Sequence, residues 1–198
     1  MDTFGNCGTA GNGCCDTPRM PDLTIRIKKK NDGSAALSCT RADGTVTWQR
    51  QDGHLGRFFP LHDVTHYCVE SVLGFDRGFY GLVSEGWDIS DFGKPENRGE
   101  DLSEAGLVEV IVGVFDHERM SGDRGDAEDF AARVAAYYDS RDLPRPDFVV
   151  TQAHVDGVRA LRARLFERWR ELPAGEALEL EFNRQTTAHA DTKTRARA

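Results

Sequence analysis

The stretch Phe58 to Glu70 reads FFPLHDVTHYCVE, and its chemistry sits at every fourth position: His62, His66 and Glu70. On a helix of about 100° per residue these three fall at about 0°, 40° and 80°, a single stripe of metal-ligating side chains. Imidazoles on adjacent turns can converge on one ion at about 2.0–2.1 Å from each nitrogen. Leu61, Val64, Cys68, Val69 and Val72 occupy a neighbouring arc, which puts the stripe at the edge of a core. Such an edge is dry enough to hold ligands and open enough to admit a substrate. Asp63, at about 100°, flanks the stripe, where a carboxylate can orient a ligand or accept a proton. Two further carboxylates are candidate ligands. Glu85 follows His66 by 19 positions, and Glu109 interrupts the most apolar stretch of the chain. The competing account is structural: the same histidines can bond to each other, to Asp63 or to backbone carbonyls at the margin of a core.

The order H-D-x-x-H differs by one methylene from the zinc-peptidase helix H-E-x-x-H, and with Glu85 the string resembles H-E-x-x-H-x18-E. Aspartate is shorter than glutamate and holds an attacking water less well, so the peptidase reading is the minority one. The region also resembles a set of uncharacterised bacterial proteins. They share an HDxTHxxVE segment, here His62 to Glu70, followed by the run Gly78-Phe79-Tyr80-Gly81-Leu82-Val83-Ser84-Glu85-Gly86-Trp87. That resemblance spans Phe58 to Trp87 and implies no activity.

The elements that must position these residues are legible in part. Leu23, Ile25 and Ile27 alternate with Thr24, Arg26 and Lys28, the pattern of a half-buried strand. Asn31-Asp32-Gly33-Ser34 turns the chain. Ala35 to Thr40 returns with Leu37 and Cys39 inward, and Thr45 to Gln49 makes a third strand around Val46 and Trp48. A helix is predicted from Pro60 to about Leu73, ended by Gly74, and a short one over Phe79 to Trp87. Ser84 to Glu104 holds seven acids against Lys94 and Arg98 and reads mainly as an exposed loop. Asp101 and Glu104 suit a capping box before Leu107 to Phe115, which is apolar nearly all round. A buried strand is the alternative there. On that helix Glu109, Gly113, Asp116 and His117 share one face. Glu109 is either part of the one solvated stripe of that helix or a carboxylate facing His62 and His66 across a helix pair, with Gly113 allowing close approach. Asp126 caps a helix to about Tyr138, and Val155, Val158, Leu161, Leu165 and Trp169 mark another. Ala177 to Phe182 alternates as a last strand. Its Glu179 and Glu181 complement Arg26 and Lys28, which predicts that the first and last strands are neighbours.

The fold expected is therefore α+β, a small antiparallel sheet (a three-strand N-terminal meander plus the C-terminal strand) packed against four or five helices. Residues 22–183 form the domain. Residues 1–21, with Cys7, Cys14 and Cys15 in a spacing that fits no common zinc pattern, read as a disordered leader, and 184–198 as a disordered basic tail. Deleting both ends should leave the unfolding midpoint almost unchanged. The chain has 198 residues, a net charge of -8 and five cysteines. The odd cysteine count suits thiols in a cytoplasmic protein. The acidity makes nucleic acid an unlikely partner despite the arginines near Arg162, and no apolar run is long enough for a membrane span. The partner is then a small molecule or a protein. Two functions follow. One is a metal-dependent enzyme of hydrolytic type, with zinc the first choice of ion, iron or manganese suiting the same ligands, and Asp63 as its acid–base group. The other is a non-enzymatic interaction or regulatory module in which the histidine cluster is structural.

Overall fold

The computed structural model describes residues 20–53, 55–94, 97 and 102–185. The strands are β1 (Leu23–Lys29), β2 (Ala35–Arg41), β3 (Val46–Gln51) and β4 (Ala177–Phe182). They form one antiparallel sheet in the order β3-β2-β1-β4. The first and last strands are neighbours, as expected, but only one of the two charge pairs forms, since Lys28 faces Ala177 and Glu181 faces Thr24. Arg26 faces Glu179 in the β1–β4 register, and its Nε donates to Glu179 Oε1 at 2.7 Å. Both side chains are more than half exposed, so this pair adds little to stability. The inner face of β1, β2 and β4 is apolar: Leu23, Ile25, Ile27, Leu37, Cys39, Leu178, Leu180 and Phe182 are all buried.

Among the described residues there are five α-helices, α1 (Phe59–Leu73), α2 (Phe79–Glu85), α3 (Ser103–Ser121), α4 (Ala127–Asp139) and α5 (Gln152–Glu171), and α1 and α2 pack against the sheet. The α+β architecture is thus the one expected. α1 lies at the centre, packed against α3 and α5, with Val64, Cys68 and Val69 fully buried. Gly74 ends it in the left-handed conformation, its N–H returning to Glu70 O. Asp126 caps α4 by accepting from Glu128 and Asp129 N–H. α3 is a helix and not a strand, with Leu107, Val108, Val110, Ile111, Val112 and Phe115 buried.

Three expectations change. Val46 and Trp48 of β3 face outward, 55% and 63% exposed, while Thr47 and Gln51 are buried on the inner side. The register fixes this parity, because Thr47 and Gln49 pair with the inward Cys39 and Leu37. The polar inner face of β3 lies over the polar stripe of α1, where an apolar strand would strand carboxylates without partners. The acidic loop is also partly ordered: Ile89–Gly93 forms a 3-10 turn capped by Asp88 and Asp91, with Ile89 buried. Finally, Glu104 accepts from the Arg77 N–H, and Leu102 occupies the N-cap position of α3. The predicted partner Asp101 lies outside the described residues, as do the leader cysteines and nearly all of the tail. Arg184, at the start of that tail, is tied to Asp22 through its N–H and to Glu85 through its guanidinium.

No helix among the described residues is long and apolar enough to cross a membrane. Cys39 and Cys68 are free and buried, and burial pushes each thiol up to about 12, which leaves them unreactive packing groups.

Candidate metal centre

The stripe on α1 meets α3 at its polar edge. His62 Nε2 and His66 Nε2 lie 3.2 Å apart, and Glu109 Oε1 comes within 3.4 Å of His66 Nε2. One ligand atom from each of His62, His66 and Glu109 can be chosen so that all lie within 4.8 Å of one another. Two ligands bound to one ion at about 2.1 Å sit roughly 3.4 Å apart, so the trio has the spacing of ligands around a small cation. The ring planes cross at 76°, so the two nitrogens meet edge-on with the rings splayed behind them.

The far side of each ring is backed by a carboxylate. His62 Nδ1 lies 2.8 Å from Asp116 Oδ2, and Arg119 Nε holds the other Asp116 oxygen at 3.1 Å. The Phe58 ring stacks on His62 at 5.4 Å. His66 Nδ1 lies 3.5 Å from Glu70 Oε1, too poorly aligned for a hydrogen bond, yet neither atom has another partner. The other oxygen of Glu70 accepts from the N–H groups of Tyr80 and Gly81, which start α2. This fixes which ring nitrogens face the centre. A carboxylate behind Nδ1 holds the imidazole with Nε2 available as a ligand and makes that nitrogen more basic.

Glycine makes the Glu70 contact possible. A Cβ on Gly78 would stand 2.5 Å from Glu70 Cδ. Gly78→Ala must therefore displace the carboxylate from His66. The expected result is a loss of about 1–3 kcal/mol in urea unfolding, the usual range for overpacking. Metal affinity should also weaken roughly 10–100-fold, as when a supporting carboxylate is lost. A chelator-competition titration reads the second effect. Unchanged affinity would show that Glu70 does not support His66.

Burial and charge set the protonation states. Burial lowers the His66 pKa, but the close carboxylates of Glu109 and Glu70 outweigh it and raise it to about 10. Burial raises Glu109 and Asp116, and their histidine partners outweigh it, leaving both carboxylates below their usual range. Glu70, wholly enclosed, is pushed up by burial despite His66 and its two backbone donors. Without an ion, then, His66 carries a proton between two carboxylates. A metal must replace that proton, and affinity should rise with pH.

Asp63 is 5% exposed and borders a cavity of about 170 Å³ in front of the histidines. Phe59, Phe79 and Phe92 line the same space. Gln51 Nε2 donates to Asp63 Oδ2. Burial raises the acid to about 6, against the lowering effects of Gln51, His62 and His66.

The predicted carboxylates are thus sorted by geometry. Glu109 reaches the convergence point. Glu70 stands behind His66 and not at the open side, because its carboxylate is turned to the start of α2. Glu85 is elsewhere: it pairs with Arg77 at 3.3 Å and Arg184 at 2.8 Å. It sits at the last turn of α2, where its side chain points to the strand ends and not to α1. Asp116 and Gln51 are the residues that sequence reasoning left without a role. Asp116 shares a helix face with Glu109, and that shared face was the available signal. Gln51 gives no signal without the strand parity. Compared with protein-family models, curated proteins and solved structures, the chain matches none of them.

Proposed function

We propose that the protein is a metal-dependent enzyme of hydrolytic type, with His62, His66 and Glu109 as ligands of a divalent cation. One observation carries this: two Nε2 atoms converge with a carboxylate on an open cavity, while each Nδ1 faces a carboxylate of its own. A merely structural cluster has no need for both rings to be backed in this way. Three protein ligands leave a fourth position free, the feature that separates catalytic from structural zinc sites. Glu109, with a side chain 56% exposed, leaves the centre accessible from outside. Two imidazoles and one carboxylate suit zinc, and iron or manganese when further positions stay open. The cation would polarise a substrate carbonyl and acidify a coordinated water.

The chain's own contribution to the chemistry is Asp63. Its raised pKa, its place on the cavity wall and its fixed contact with Gln51 suit a group that takes and returns a proton near neutrality. Purified protein should hold about one ion per chain, lose it to a chelator and regain ester- or amide-hydrolysing activity on reloading with zinc. Activity should fall as pH drops through about 6, where Asp63 takes a proton, or lower still, since a bound cation depresses the acid. Asp63→Asn should reduce turnover about 10²–10⁴-fold while metal content stays near one per chain. Metal-loaded protein without hydrolytic activity on any ester, amide or phosphoester would overturn the hydrolytic reading and leave the interaction module.

A further inference from the structure

Beside the metal centre runs a second and larger space. α3 and α4 enclose an open groove of about 640 Å³, within the usual size of small-molecule sites. Its α3 wall is the stripe Glu109, Val110, Gly113 and Val114, and its α4 wall is Ala136 and Tyr137. Glu109 borders both this groove and the cavity holding His62 and His66. The smaller cavity, about 170 Å³, accepts only a head group. A longer molecule bound at the metal can extend past Glu109 into the groove.

The groove's middle is apolar and its far end is charge-compensated. There Arg133 pairs with Asp123 at 2.7 Å, beside His117, about 12 Å along α3 from Glu109. The ion pair compensates its own charge at that end, and the charged or chelating part of an occupant is assigned to the metal. Gly113 supplies an independent observation. Glycine inside a helix destabilises it relative to alanine. The sequence suggested that Gly113 lets α1 and α3 approach, but a Cβ there would meet nothing within 4 Å. Its backbone is not left-handed either. Gly113 therefore leaves the groove floor open, with no side chain between α3 and α4 at that point.

Resting on the metal reading above, we infer that the substrate is a small amphiphile. It has an oxygen-bearing, metal-seeking head at Glu109 and an apolar chain of about eight carbons lying over Gly113, which runs toward His117 and occupies part of the groove. Fatty-acyl esters and amides of this length are the substrate class that fits.

The test uses the full zinc-loaded chain and two probes, acetohydroxamate and octanohydroxamate, titrated by calorimetry. Both carry the same metal-binding head, and only the second has a body for the groove. In wild type the longer probe should bind about 100-fold more tightly, since its methylenes leave water along an open apolar wall. Gly113→Leu, which favours helix and fills the floor, should cut that advantage at least about tenfold. Metal content and acetohydroxamate affinity should remain, because neither uses the groove. Ala136→Leu, on the opposite wall, should do the same and guards against misfolding of the first variant. Equal affinities of the two probes for wild type, or an advantage untouched in both variants, would overturn the groove assignment while leaving the metal centre standing. Wild type that dimerises through this face, with the leucine variants monomeric and no preference for the longer probe, would assign the groove to a second copy instead. A chain that binds neither zinc nor acetohydroxamate would overturn the metal reading itself, and the inference with it.

Discussion

His66→Ala is expected to leave purified protein without stoichiometric metal while its circular-dichroism spectrum stays that of the wild type. His66 supplies the central ligand atom, 3.2 Å from His62 Nε2 and 3.4 Å from Glu109 Oε1. Without it, one imidazole and one half-exposed carboxylate remain, too few to hold a cation against a chelator. The variant also removes the proton that sits between Glu70 and Glu109. Glu70 keeps its two backbone donors and can protonate in its enclosed position, so the fold should survive. His62→Ala and Glu109→Gln alter less buried groups and should lose the metal with even less effect on folding. Asp116→Asn should give a graded result, roughly 10–100-fold weaker binding, because it removes support from His62 and not a ligand. Metal analysis of the four proteins beside wild type checks the series. Wild-type protein that purifies without metal and ignores added zinc would end the enzyme proposal.

Glu118→Ala should be the most destabilising single change outside the metal centre. Glu118 is 3% exposed on α3 and receives Arg162 Nη2 at 3.0 Å and Arg159 Nη2 at 2.7 Å, both from α5. Arg162 is itself 5% exposed, and its other arm donates to Phe115 O at 2.7 Å. Burial pulls the Arg162 pKa down, with Glu118 the principal charge opposing that pull. Removing the carboxylate leaves a guanidinium enclosed without a counter-charge, which typically costs about 3–5 kcal/mol. Urea unfolding should show this as a lower midpoint with an unchanged slope. Replacing Glu118 and Arg162 together by methionine should cost much less, because no orphaned charge remains. A single-variant loss below about 1 kcal/mol would mean that the cluster is solvated and behaves as a surface pair.

The order of elements, the apolar faces of β1, β2 and β4, the ends of α1 at Pro60 and Gly74 and the pairing of β1 with β4 are all written in local periodicity and turn chemistry. Most depend on residues a few positions apart, and the β1–β4 pairing on complementary charge, of which the register joins Arg26 with Glu179 alone. The metal stripe is equally local: three side chains on successive turns of one helix must share a face. The parity of β3 is not local. Val46 and Trp48 are apolar and suggest an inward face, but the register with β2 turns them out and places Gln51 over Asp63. The choice among Glu70, Glu85 and Glu109 also belongs to tertiary structure. All three spacings are chemically acceptable along the chain. Only the packing of α2 turns Glu70 behind His66 and sends Glu85 to Arg184, and only the contact of α1 with α3 brings Glu109 to the ring nitrogens. Asp116 follows from the same contact, since about two helical turns separate it from Glu109 and so leave both on the face that meets α1. A helix period tells which residues share a face; which face meets which is decided by the burial of the whole core.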